Sequence, residues 1–257
     1  MELKTTFRKI KILFLLFALF SYSGIYAQTR IFATTVSSSD DTDNASNAID
    51  QNLGTRARVR ASSGIAVGIG QYSGHIELQF DSTLPQNTTT YVKIGADANL
   101  FPALLGGSLG GLLSDVLGGV LVGNQEFTVQ AKNGNAVVLQ GNSQIASDFG
   151  GQRLRVITNA AGEYFLMITP NQQYNRIRLT NRVGSLLGLG NTRRLDVFEA
   201  FYVTDMANCG SPAFTSFSGS GISLDALQLG GVGVENPQFA IDANQNNFST
   251  LSVGLLG

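Results

Sequence analysis

The chain has 257 residues, with 17 Lys and Arg against 18 Asp and Glu, one His, one Cys and no Trp. A formal net charge of −1 withholds the basic patch on which nucleic-acid binding depends. A single His and a single Cys exclude His-clustered zinc sites and an internal disulfide.

In chain order, the first element is a targeting segment. Lys4, Arg8, Lys9 and Lys11 form a basic start, residues 12–20 are an unbroken apolar run, and residues 21–26 lead to a cut expected after Ala27, with Ile25 larger than the usual Ala at its position. Nine apolar residues are too few to cross a bilayer of ~30 Å at ~1.5 Å per residue. The pattern predicts a cleaved secretory signal peptide over 1–27 and a secreted or cell-surface protein. The mature chain then keeps 13 basic and 17 acidic residues, a net charge of −4. Eleven of the 13 basic residues are Arg, which suits planar contacts to carboxylates and hydroxyl-rich ligands.

Residues 28–205 predict an all-β domain. Residues 75–80 alternate, with Ile76, Leu78 and Phe80 on one side; residues 126–131, 91–94 and 176–179 do the same. Period two with one polar face is the pattern of half-buried strands. Asn133-Gly134 between Val129 and Val137 signals a hairpin, and the apolar run 164–168 suits a central strand. Many short strands separated by turn residues predict a β-sandwich or jelly roll. One stretch departs from this. Residues 100–122 are rich in Gly and Leu and carry one charge, Asp115; Leu105, Leu109, Leu112, Val116 and Val120 fall on a helical stripe. They predict an apolar, helical insertion packed over the sandwich, with 185–190 as a shorter piece of the same kind. Membrane contact is the lesser reading.

Residues 206–212, which include Cys209, read as a linker. Beyond it the motif Ala48-Ile49-Asp50-x-Asn52 returns as Ala240-Ile241-Asp242-x-Asn244, offset by 192 residues, with Thr55 and Thr250 closing the two copies. Residues 213–257 are therefore expected to be the truncated start of a second, similar repeat, and the chain a piece of a longer repeat protein, where a partner for Cys209 would lie. A turn with Asp, Asn and Thr offers oxygen donors to a hard cation such as calcium, although the same residues also make ordinary turns.

Ala48-Ile49-Asp50-x-Asn52-x-x-Thr55, the strand 75–80, Phe127 to Gly134, Arg176 to Leu179 and Glu199-Ala200-Phe201-Tyr202 follow the order of the discoidin or coagulation-factor C-terminal (galactose-binding-like) domain, which this chain resembles over most of 30–205. It departs at Gln51, where that family has Gly, at Arg56-Ala57, where Thr-x-Trp would put Trp, and in the foreign insertion 100–122. The resemblance implies an eight-stranded jelly roll that binds glycans, lipids or proteins through its loops. It also implies a structural calcium held by Asp50, Asn52, Thr55 and Glu199. The residues reach Glu199 by another route. In the last strand Leu195, Val197, Glu199, Phe201 and Val203 share one side, so Glu199 is expected to point inward. A buried carboxylate needs a partner, whether an arginine (Arg30, Arg153 or Arg155), a cation or a proton; the remaining alternative is that it faces water.

Arg56, Arg58 and Arg60 alternate with small residues and share one side of a strand. They pair with acids on a neighbouring strand, or they form a site for a sulfated or uronic-acid glycan or an acidic protein. His75 opens a strand on its polar face and is expected to be structural. No nucleophile motif or phosphate loop is present. The sequence thus predicts a non-catalytic extracellular binding or adhesion module for a glycan or protein ligand, in a repeat protein of a Bacteroidetes-like surface. A structural spacer repeat, or an accessory domain of a secreted enzyme, is the alternative.

Overall fold

The computed structural model describes residues 29–65, 69–96, 101, 125–184, 192–204, 214–215, 233–242 and 244–252. The signal segment 1–27, the stretch 185–190, the linker 206–212 with Cys209, and 253–257 lie outside them. So does the stretch 100–122 except Phe101, which is buried against Phe127 and Tyr164 at 5.7 Å each.

The strands are β1 (Arg30–Phe32), β2 (Thr35–Asp40), β3 (Thr42–Asp43), β4 (Ala57–Ile65), β5 (Ile69–Ser73), β6 (His75–Leu84), β7 (Thr90–Ala96) and β8 (Gln125–Asn133). They continue with β9 (Ala136–Asn142), β10 (Leu154–Asn159), β11 (Tyr164–Ile168), β12 (Tyr174–Val183) and β13 (Thr192–Val203). Three short strands follow, β14 (Phe214–Thr215), β15 (Gly233–Glu235) and β16 (Thr250–Ser252). Two antiparallel sheets form a sandwich. The larger runs β14-β10-β11-β7-β13-β4-β3, with β1 on β13 and β5 on β4; the smaller runs β2-β6-β12-β8-β9.

The alternating stretches form these strands because one face of each meets the opposite sheet. Ile76 and Leu78 of β6, Ile177 and Leu179 of β12, and Val92 and Ile94 of β7 join one core. The Asn133-Gly134 signal becomes the two-residue turn between β8 and β9, with Gly134 at φ 57°. The run 164–168 is indeed interior, flanked by β10 and β7. Two polar side chains inside the core, Asn181 and Tyr174, are paired. Asn181 Nδ2 donates to Val59 O and Arg193 O at 3.0 Å each, tying β12 of one sheet to β4 and β13 of the other. The buried Tyr174 hydroxyl contacts Thr90 Oγ1 at 2.6 Å and donates to Thr88 O at 2.8 Å.

A second apolar cluster was not legible in the alternation. Ile157, Phe165 and Phe201 are buried with Phe32, Leu53, Tyr91, Met167 and Phe214 packed around them, separate from the main core. Phe214 stacks on Tyr91 at 5.1 Å and meets Phe165 edge-on at 5.2 Å. Phe214 and Thr215, which the sequence assigns to the second unit, thus extend the edge of the first sandwich by pairing with β10.

Candidate functional site: the Asp50 loop and Glu199

The loop between β3 and β4 is built by its own side chains. Asn44 takes the left-handed conformation at φ 52° and opens a short 3-10 turn, Ala45–Ala48. Asp50 Oδ1 accepts the Asn52 N–H at 2.9 Å, and Asn52 Oδ1 accepts the Gly54 N–H at 2.9 Å. The Thr55 hydroxyl donates to Asp50 Oδ2 at 2.7 Å. These are Asx turns closed by a hydroxyl clamp, in which a short polar side chain replaces a backbone partner. Thr55's hydrogen bond holds the Asp50 carboxyl below its ordinary range despite some opposing burial.

Glu199 meets this loop because β13 changes edge there. Its register against β7 shifts between Val197 and Ala200. One edge of β13 pairs with β4 as far as Val197 and with β1 from Phe201 onward. The Asp50 loop covers the gap between them, and the Gln51 N–H donates to Glu199 Oε1 at 2.5 Å. The strict alternation expected for this strand is broken by the bulge. Leu195, Val197 and Ala200 enter the main core, whereas Phe201 joins the second cluster. Glu199 is fully buried, as expected, but the cover is the loop.

Its other oxygen, Oε2, is buried without a hydrogen-bond partner. None of the ion pairs among the described residues includes Glu199. Arg30 instead lies over the Phe201 ring at 5.0 Å, and Arg155 Nε donates to Gly151 O at 2.9 Å. Burial pushes the Glu199 carboxyl up to about 7; the Asp50 carboxyl beside it adds to the rise, while the Gln51 and Asn52 N–H groups pull back. Near neutral pH the Glu199 carboxyl is therefore able to keep a proton beside Asp50.

The donors fit a hard cation in kind. Asp50 and Glu199 Oε2 would supply carboxylate oxygen to it, and Asn52 and Thr55, whose side chains already close the turn, neutral oxygen. Calcium takes roughly 6–8 such ligands, so waters or carbonyls would have to complete the shell. Among the described residues no three His, Cys, Asp or Glu side chains form a metal cluster. One loop carbonyl is already taken by a built-in cation, since Lys93 Nζ donates to Leu53 O at 2.7 Å and to Glu163 Oε1 at 2.6 Å.

Gln51, where the resembled family has Gly, sits at φ 62°. A residue with a Cβ is strained there by roughly 1–2 kcal/mol, and the Glu199 bond holds it in place.

The loop recurs. At the same offset of 192 residues, Asn236 is left-handed at φ 51°, Asn244 N–H meets Asp242 Oδ1 at 2.9 Å and Asn246 N–H meets Asn244 Oδ1 at 3.0 Å. The strand register repeats too, Val234 opposite Leu251 as Thr42 is opposite Val59. The clamp, however, is Asn247, whose Nδ2 donates to Asp242 Oδ2 at 2.7 Å. Thr250 instead aligns with Arg58.

The three arginines are paired. Arg56 and Arg58 both reach Asp196 of β13, at 3.0 and 2.9 Å, and Arg60 reaches Asp43 of β3 at 3.5 Å. Arg56 precedes the strand rather than lying in it. Among the described residues, Asp196 and Asp43 are the carboxylates that meet these three guanidiniums.

A larger charge network lay outside the sequence reading. Glu77 of β6 is 2% exposed and is met by Lys132 at 2.5 Å, Arg176 at 3.3 Å and Arg178 at 3.7 Å, from β8 and β12. Burial alone would raise its pKa, but hydrogen bonds from Lys132 and Ser37 and the nearby charges carry it below the ordinary value. Its one signal was the matching polar phase of 75–80 and 176–179; the register that pairs them is tertiary. His75 contacts Ser38 Oγ at 2.8 Å through Nε2, and burial followed by the Arg178 charge holds its pKa down.

No known protein family matches this chain, and no curated protein matches it. Among the described residues no helix is long and apolar enough to cross a membrane.

Proposed function

We propose that this chain carries a secreted, non-catalytic β-sandwich binding module that recognises a glycan or another extracellular ligand. On this reading the sandwich is a galactose-binding-like jelly roll, and its Asp50 loop is pinned by a structural calcium. The observation that carries it is Glu199 Oε2, a buried carboxylate oxygen without a partner, facing a loop made of oxygen donors. Such an atom is costly to leave ionised and empty, and a divalent cation resolves it. The ligand face would be the side of β4 where Arg56, Arg58 and Arg60 gather.

Calorimetry with calcium, followed by a glycan array on the calcium-loaded chain, tests this reading. Calcium binding together with retention of a glycan or acidic polysaccharide supports it; neither would remove it. The repeated turn at 233–252 favours a second reading, a spacer repeat that stacks units and binds nothing. An array that stays blank while calcium still raises the melting temperature would favour that reading.

A further inference from the structure

The Asp50 loop is tied to the sandwich at two points by groups of opposite charge. The Gln51 N–H meets a carboxyl oxygen, Glu199 Oε1. Two residues on, the Leu53 carbonyl meets an ammonium, Lys93 Nζ, at 2.7 Å. The first tie belongs to the candidate cation site. The second lies outside it.

Lys93 stands on β7 opposite Phe165 of β11, and its side chain is 12% exposed. An ammonium offers three N–H donors and no acceptor. Lys93 donates to Leu53 O and, at 2.6 Å, to Glu163 Oε1, and its Nζ lies 4.6 Å from the centroid of the Phe198 ring. Phe198 sits where the register of β13 shifts, beside Glu199. Glu163 is fixed in its turn. Its Oε2 accepts from Asn159 Nδ2 at 2.7 Å, and Asn159 Oδ1 accepts the Ala161 and Glu163 N–H groups, which closes the turn between β10 and β11. The Lys93 hydrogen bond, ahead of the opposing burial, holds the Glu163 carboxyl below its ordinary range. One buried ammonium thus joins the Asp50 loop, the turn 159–163 and the bulge of β13.

Leu53 is held twice over, since its side chain is partly buried against Ile157, Phe165 and Phe201 while its carbonyl is on Lys93. Asp50 and Thr55 bond each other rather than the lysine, so Lys93 fixes the loop without occupying those oxygens. A metal that drew Leu53 O into its shell would first have to break a charge-assisted bond. The energetic gain is preorganisation. A loop already ordered does not charge its ordering entropy to the ligand that binds it.

We infer that Lys93 is a resident cation of the Asp50 loop, with Glu163 as its counter-ion. It is a positioning residue that keeps the turn from Asp50 to Thr55 closed before any metal binds. Its bearing on the metal rests on the calcium reading of the loop; the pinning of the loop does not.

The test compares the full chain as wild type, Lys93→Met and Glu163→Gln. Amide hydrogen exchange is followed at neutral pH in chelator, calcium chloride is titrated by calorimetry, and each protein is melted. Met keeps the apolar stem and removes the ammonium. In chelator, Lys93→Met should speed exchange of the hydrogen-bonded Gln51, Asn52, Gly54 and Thr55 amides about tenfold relative to those of β6 and β12, the loss of roughly one charge-assisted hydrogen bond. Glu163→Gln should do so to a lesser degree. Calcium should bind Lys93→Met about tenfold more weakly than wild type, because the metal must then order the loop itself. Unchanged loop exchange in Lys93→Met overturns the assignment. Exchange that speeds equally in loop and core strands also overturns it, since that marks a general loss of packing. Loop opening with calcium affinity equal to wild type overturns the positioning role. Loop opening in a chain that binds no calcium in any form keeps the lysine pin and removes the calcium reading.

Discussion

Replacing Glu199 by Gln isolates the carboxyl buried under the loop. Glu199 has a folded pKa of about 7 against an ordinary 4.5, so the folded protein binds its proton more tightly than the unfolded chain does. The stability this proton supports is fully present below pH 4.5, falls as pH rises, and is gone above pH 7. The interval corresponds to about 3 kcal/mol at ~1.36 kcal/mol per pH unit. Gln keeps an oxygen for the Gln51 N–H and never ionises. In the presence of a chelator, wild type and Glu199→Gln should therefore melt together near pH 4.5. At pH 8 the variant should melt higher, by roughly 6–12 °C at ~2–4 °C per kcal/mol for a chain of this size. Using the difference between the two proteins cancels the other titrating groups. Millimolar calcium should close the gap from the wild-type side, by about 2.7 kcal/mol at a hundredfold excess over its dissociation constant, and should leave the variant unmoved. Parallel pH profiles for the two proteins would refute the reasoning about Glu199. A gap that closes with pH but ignores calcium would remove the metal and keep the proton.

Three further outcomes are expected. Glu77→Gln leaves Lys132, Arg176 and Arg178 around a neutral group and should destabilise by about 3–5 kcal/mol in urea titration; a loss under ~1 kcal/mol would show that the network is solvated. Because the folded Glu77 pKa is lowered, its contribution is present above pH 4.5 and is lost in acid, opposite in sense to Glu199. Asp196→Asn removes the carboxylate that Arg56 and Arg58 share, should cost no more than ~1 kcal/mol, and should strengthen retention on a sulfated polysaccharide column; unchanged retention would detach those arginines from any ligand role. Gln51→Gly removes left-handed strain and should raise stability by up to ~1 kcal/mol in thermal melts; a clear loss of stability would mean that the strain is not real.

The strand pattern was readable because burial against an opposite sheet imposes a period of two on the sequence. Residues 75–80, 126–131 and 176–179 carry that period and became β6, β8 and β12. The Asp50 loop was readable for a different reason. Its bonds are local, from Asp50 to Asn52 and Thr55, so the chemistry lies within six residues and even its second copy was visible. The equivalence of Thr55 was misplaced on Thr250 because Asn247 makes the same clamp with an amide, and only the register shows which residue stands there.

Partnerships across strands were hidden. Glu77 gathers Lys132, Arg176 and Arg178 through pairing of β6, β12 and β8, and Asp196 gathers two arginines through pairing of β13 with β4. The bulge in β13 also escaped the alternation, and it separates Phe201 from Val197 and slides Glu199 under the loop. The sequence by itself thus determined the strands and the local turn, since each follows from side chains near in the chain. Only the tertiary structure decided which charges meet and what covers Glu199, because those contacts join residues about 50 to 150 positions apart whose register no local pattern encodes.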